Sequence, residues 1–201
     1  MRAIFLDRDG VICKNRTDHV KSWDEFQFLP GVIPALVELS QLDLPIIVVT
    51  NQAAINRGLV SAQTVEDIHH RMTAAITAAG GRIDGVFYCP HRPDEDCLCR
   101  KPRPGLLLQA AKKMGVQLTG SYMVGDAATD LLAGSRTGAD TFLVLTGRGL
   151  RQVIPAFQLM CRPFKIVRDL SDAVLHILET EHARPQLGLE PSRVIPQVTF
   201  S

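Results

Sequence analysis

The chain has 201 residues, 46% of them hydrophobic and 21% charged, with a formal net charge of +1. Those values suit one well-buried globular domain. They give no global electrostatic reason to expect nucleic acid or a membrane surface as a partner.

Ala3-Ile4-Phe5-Leu6 reads as a short buried strand that Asp7-Arg8-Asp9 cuts off, so the start is neither a signal peptide nor a span. Nowhere does an apolar run reach the ~18 residues a membrane helix needs. Val32 to Leu42, after Pro30-Gly31, has helical apolar spacing. Leu44 to Val49 is a second buried strand ending at Thr50-Asn51. Ser61 is placed to cap a helix running to about Ala79, where Gly80-Gly81 stops it. Gly85 to Tyr88 is a third strand. Pro104 to Met114 is a helix with proline near its start and Gly115 at its end. Tyr122 to Val124 and Thr141 to Leu145 are strands, with a helix from Thr129 to Thr137 between them. Continuous apolar strands alternating with helices predict an α/β fold, a doubly wound parallel sheet covered on both faces. One domain over residues 1–183 is expected. Residues 184–201, with three prolines and no periodicity, read as an extended or disordered tail.

Between the third strand and the next helix, four metal-ligating side chains fall within eleven residues: Cys89, His91, Cys97 and Cys99. Three thiolates and one imidazole complete a tetrahedral Zn²⁺ shell and leave no open position, so the site reads as structural. Its last ligand is followed at once by two cations, Arg100 and Lys101. Cys13 and Cys161 have no Cys or His within three residues, and no second cluster is expected. Reduced cysteines suit a cytoplasmic location.

In such sheets ligands bind at the carboxyl ends of strands. Asp7, Thr50, Cys89 and Asp126 all fall there. Two carboxylates in Asp7-Arg8-Asp9-Gly10 can divide nucleophilic and proton-transfer work. Asp126, in Gly125-Asp126-Ala127-Ala128-Thr129-Asp130, can add an oxygen ligand for Mg²⁺. Lys101 and Arg100 can offset phosphate charge, while the Thr50 hydroxyl and amides near Asn51 donate hydrogen bonds. Each motif alone is equally well a turn or a helix cap. Together they describe a phosphoryl-transfer site.

The order Asp7-Arg8-Asp9-Gly10, Thr50-Asn51-Gln52, Arg100-Lys101-Pro102 and Gly125-Asp126 with Asp130 resembles the haloacid dehalogenase-like (HAD-like) phosphatase superfamily. The cysteine loop running into Arg100-Lys101-Pro102 is similar to its zinc-bearing branch of heptose bisphosphate and histidinol-phosphate phosphatases. The resemblance covers about residues 1–149. It implies a Rossmann-like core, Mg²⁺ dependence, structural Zn²⁺ and hydrolysis of a phosphate ester. It makes Asp7 the nucleophile and a Mg²⁺ ligand, Asp9 the acid/base and donor of a backbone carbonyl to the metal, and Asp126 the third ligand. Thr50 and Lys101 would stabilise the phosphate. Arg100, Asn15, Arg16, Thr17, Asp18, Asn51, Gln52, Ala53 and Arg57 would meet the substrate. Ala53-Ala54 stand where the family has Ser-Gly, Cys13 where Asn is common, and Ala127 where Lys or Ser is frequent. No large cap domain fits between the motifs, so the site is expected to be open.

The substrate so implied is a phosphorylated sugar, D-glycero-D-manno-heptose 1,7-bisphosphate losing its C7 phosphate in nucleotide-heptose synthesis for lipopolysaccharide or surface-layer glycans. Histidinol phosphate is the alternative within the same chemistry. A non-catalytic phosphosugar-binding module is the alternative outside it. The protein is expected to act as a monomer, without nucleic acid or membrane partners.

Overall fold

A computed structural model describes residues 1–160 and 162–184. The expected tail and Cys161 therefore lie outside the described residues, apart from Arg184. Six strands form one parallel sheet: β1 (Ile4–Leu6), β2 (Ile46–Asn51), β3 (Gly85–Cys89), β4 (Tyr122–Gly125), β5 (Asp140–Val144) and β6 (Lys165–Val167). Their order across the sheet is β3-β2-β1-β4-β5-β6. The helices are α1 (Val32–Leu39), α2 (Ala62–Ala78), α3 (Gly105–Met114), α4 (Ala128–Ser135), α5 (Gly149–Leu159) and α6 (Leu170–Ala183).

Alternate strand side chains point to opposite faces of a sheet, which is why these strands are apolar throughout. Ile4, Leu6, Val48 and Val124 pack with α1, α2 and α6 on one face. Phe5, Ile47, Val49 and Met123 pack with α3 and α4 on the other. α5 lies against α4 through Ala156, Ala128 and Leu131. Among the described residues the connections are helices and loops with no inserted cap domain. Among the described residues no helix is long and apolar enough to cross a membrane.

The elements match the sequence reading up to Val144, with two shorter helices. α1 stops at Leu39 because the Ser40 hydroxyl donates to the Leu36 carbonyl at 2.6 Å and closes the last turn. α4 stops at Ser135, and Gly138, at φ +80°, turns the chain into β5. α5, β6 and α6 extend the fold past the last strand read from the sequence. Asp169 caps α6 by accepting from the Asp172 amide at 3.0 Å.

The chain leaves β1 toward β2 on one side and returns to β4 on the other, so the strand order reverses between β1 and β4. A crevice opens at the carboxyl ends of two such strands. Asp7 follows β1 and Asp126 follows β4, and the Asp7 amide donates to the Val124 carbonyl at 2.9 Å.

The opposite end is tied by Glu181 of α6, which accepts from both Arg2 Nη atoms at 2.6 and 2.5 Å and from the Tyr122 hydroxyl. Burial pushes the Glu181 carboxyl up, but bonds from Arg2 and Tyr122 and the charges of Arg2 and Arg184 outweigh it and hold it below its ordinary value. Stability from this tie is complete above the unfolded carboxylate pKa of about 4.3 and is lost as pH falls toward the lower folded value. Glu181→Gln should lower Tm at neutral pH by roughly 2–8 °C. It should also flatten the loss of Tm on acidification below about pH 5. An acid limb as steep as in the parent would contradict the assignment.

Candidate active site

Three carboxylates meet above the strand reversal. Asp7, Asp126 and Asp130 are each buried, and one oxygen from each lies within 4.8 Å of the others. Mg²⁺ is usually bound through one or two carboxylates, with waters and a substrate phosphate completing its shell. The Lys101 ammonium is also buried here, 2.9 Å from Asp7 Oδ1 and 2.7 Å from Asp130 Oδ1. It donates a third bond to the Val49 carbonyl at 2.7 Å. Arg148, just before α5, closes the other side: its Nη2 is 2.8 Å from Asp126 Oδ1 and its amide donates to Oδ2 at 2.9 Å.

Burial raises the Asp7 carboxyl to about 7; Lys101 opposes this, while Asp130, Asp126 and Asp9 add to it. Asp126 is raised for the same first reason, desolvation, against the pull of Arg148. Burial alone would lower the Lys101 ammonium, but Asp130 and Asp7 outweigh it and the group is raised. Three carboxylates facing two side-chain cations leave one negative charge over. A divalent cation suits that imbalance, and it would pull both raised carboxyls back toward ionisation.

Glycine makes the packing around Asp126 possible. Gly10 adopts φ +88° and a Cβ there would lie 2.2 Å from Asp126 Oδ2. Gly147, at φ +58°, would bring a Cβ to 2.4 Å from the same oxygen.

Asp9 stands apart from this cluster. Its Oδ2 takes bonds from Arg8 at 2.9 Å and Gln52 Nε2 at 2.8 Å, and Cys13 Sγ approaches Oδ1 at 3.4 Å. Burial pushes this carboxyl up, but the Arg8 charge and the bonds from Arg8, Gln52 and Cys13 hold it below the usual range. Gln52 Nε2 also reaches Thr50 Oγ1 at 2.9 Å. Asn51 spends its amide on the backbone of Lys101, accepting from its N–H at 3.2 Å and donating to its carbonyl at 3.1 Å.

The other residues named from the sequence scatter. Asn15 Nδ2 lies 3.4 Å from Asp126 Oδ2. Arg16 pairs with Asp18 at 3.0 Å on the surface, and Thr17 and Arg57 are exposed. Ala53 is buried. Arg100 donates to the His91 carbonyl at 3.0 Å, on the cysteine loop.

That loop brings Cys89, His91, Cys97 and Cys99 to a common point, all four donor atoms within 4.8 Å of one another. The sulfurs lie 3.3–3.5 Å apart. A disulfide would need about 2.05 Å. Tetrahedral thiolates about 2.3 Å from Zn²⁺ stand roughly 3.8 Å apart, so the donor set and its spacing fit that ion.

A family model described as HAD-hydrolase-like matches residues 98–173. The D-glycero-beta-D-manno-heptose-1,7-bisphosphate 7-phosphatase of Bordetella bronchiseptica is 42% identical over 149 residues, 74% of this chain and 83% of that protein. The chain belongs to this phosphatase family. The enzyme of the same name from Neisseria meningitidis serogroup A is 35% identical over 186 residues, covering 92% of this chain and 99% of its own. The crystal structure of the B. bronchiseptica D,D-heptose 1,7-bisphosphate phosphatase with magnesium and phosphate superposes with a TM-score of 0.83. It shares 37% identity with this chain and covers 90% of it and 99% of its own. The fold is that of HAD-like phosphatases, and the chain is a phosphoric monoester hydrolase.

Sequence reasoning left Arg8, His69, Asp130 and Arg148 without roles. Asp130 carried a signal, since it lies one helical turn after Asp126 in a motif already quoted. Arg148 had a weaker one, following Thr146-Gly147 just past β5, another strand end. Gly10→Ala should abolish the rise in Tm that Mg²⁺ gives the parent, because its Cβ would displace Asp126. A variant with the parent's full Mg²⁺-dependent Tm shift would contradict this packing.

Proposed function

We propose that the chain removes the C7 phosphate of D-glycero-beta-D-manno-heptose 1,7-bisphosphate, with Asp7 as nucleophile and Asp9 as acid and base. One observation carries the chemistry: Asp7 is a buried carboxylate at the strand reversal, flanked by Lys101 and by two further carboxylates. The names of the relatives support the sugar and its beta anomer. Mg²⁺ held by Asp7, Asp126 and the Asp9 backbone carbonyl, with Asp130 beside them, would offset phosphate charge, so that an anionic nucleophile can approach an anionic ester. Its presence in the related structure supports this choice.

An Asp7 oxygen forms a bond to phosphorus and the bond from phosphorus to the C7 oxygen breaks. Asp9 gives its proton to the departing alkoxide. The same Asp9, now ionised, takes a proton from water as that water attacks phosphorus, releasing inorganic phosphate and restoring Asp7. Lys101 holds Asp7 in place for the attack, and the Thr50 hydroxyl supplies a hydrogen bond to the transferring group. An incoming phosphate dianion raises the proton affinity of the nearby Asp9, which supplies the acid form for the first step.

Zn²⁺ in the four-ligand loop would fix the segment that carries Lys101. Arg100, braced on the carbonyl of ligand His91, is placed by us at the substrate rather than at the phosphorus. Reduced thiols committed to a metal support a cytoplasmic location for an enzyme acting on a small molecule.

Two experiments test this reading. Phosphate release measured with Mg²⁺ should favour the heptose bisphosphate over histidinol phosphate by about a hundredfold or more in kcat/KM. Equal or reversed preference would overturn the substrate assignment. Asp7→Asn should fall to background with an unchanged fold by circular dichroism, and parent-like turnover would remove Asp7 as nucleophile. Separately, Cys97→Ser should lose bound zinc by elemental analysis and raise KM. Loss of zinc with unchanged kinetics would refute the bracing role of the loop.

A further inference from the structure

Arg8 is fully buried, which is rare for a guanidinium. Its Nη2 lies 2.9 Å from both Asp9 oxygens and 3.0 Å from Gln52 Oε1. Its Nη1 lies 3.1 Å from His69 Nε2. A guanidinium can only donate, so His69 Nε2 is the unprotonated, accepting nitrogen. His69 belongs to α2 and is 5% exposed. Burial first and the Arg8 charge second push its imidazole down to about 3, which agrees with a neutral ring at neutral pH.

We infer that His69 is a positioning residue: by accepting from Arg8 it orients the guanidinium that holds the Asp9 carboxylate away from Asp7, Asp126 and Asp130. The need for such a device follows from the motif. Asp7 and Asp9 are two residues apart, and both carboxylates are attracted to the same cation. A carboxylate that ligates the cation is not free to shuttle a proton. Arg8 offers Asp9 a competing partner, and Gln52 fixes the same carboxylate from a second side while bonding Thr50. Without the His69 acceptor, Nη1 is a buried donor with no partner. The guanidinium then gains by rotating, and Asp9 follows it.

The inference rests on Asp9 being the acid and base, so Asp9→Asn is assayed alongside. The discriminating pair is His69→Gln and His69→Asn. The Gln amide oxygen reaches the position of Nε2, whereas the Asn amide reaches only as far as Nδ1. Steady-state phosphate release from heptose bisphosphate with saturating Mg²⁺ gives kcat and KM for each. His69→Gln should stay within about threefold of the parent kcat, while His69→Asn loses about ten- to a hundredfold in kcat with KM nearly constant. Equal rates for the two variants, or a parent-like kcat for His69→Asn, would overturn the inference. If His69→Asn does not fold, His69→Gln alone decides, and a kcat below about a tenth of the parent overturns it. Parent-like turnover in Asp9→Asn would instead remove the acid/base reading, and this inference with it.

Discussion

A single buried ammonium organises the catalytic end of this molecule. Lys101 Nζ sits 2.9 Å from Asp7 and 2.7 Å from Asp130, with a third bond to the end of β2. Three buried carboxylates at this separation would repel strongly in a medium of low dielectric. Removing one partner from such a group leaves an uncompensated buried charge, among the costliest changes a fold can suffer. The cluster therefore depends on the placement of Lys101. That placement depends on the loop after β3, fastened through the four zinc-type ligands at one end and through the Asn51 amide at the other.

The remaining parts of the fold position the partners of this ion. Parallel strands with both faces covered put every strand end at one edge, and the reversal between β1 and β4 puts Asp7 beside Asp126. Gly10 and Gly147 let two backbone segments close on Asp126 without a Cβ between them. Arg148 and Lys101 then offset two of three negative charges, and the residual charge is what a divalent cation can complete. Asp9 is left out of that arithmetic, because Arg8 and Gln52 take its carboxylate.

Much of this was legible in the residues alone. Unbroken apolar strands followed by Asp, Thr-Asn or Gly-Asp mark a parallel sheet and its functional edge, because period and burial are local properties. The metal-ligand spacing from Cys89 to Cys99 was equally local, and the four donors do converge. What stayed hidden was orientation. Asp7 and Asp9 look equivalent in sequence, yet one carboxylate joins Lys101 and the other joins Arg8. Arg8 carries no role in the sequence, and only the fold brings His69 of α2 against it. Arg100 and Lys101 look like a pair, but one braces the cysteine loop and the other enters the core. Arg148 reaches Asp126 across twenty-two positions, a contact that no local pattern encodes. β6 is three residues with two exposed, and α5 contains Pro155, so neither carries a strong periodic signal.

If Asp7 is the nucleophile, phosphate passes through a covalent bond to its carboxylate. Acid quenching during turnover with heptose bisphosphate and Mg²⁺, followed by borohydride reduction, converts an aspartyl phosphate to homoserine. Peptide mapping by mass spectrometry then locates it. Homoserine is expected at position 7, and only when both substrate and Mg²⁺ are present. Homoserine at Asp9, Asp126 or Asp130, or none at all under turnover, would contradict it.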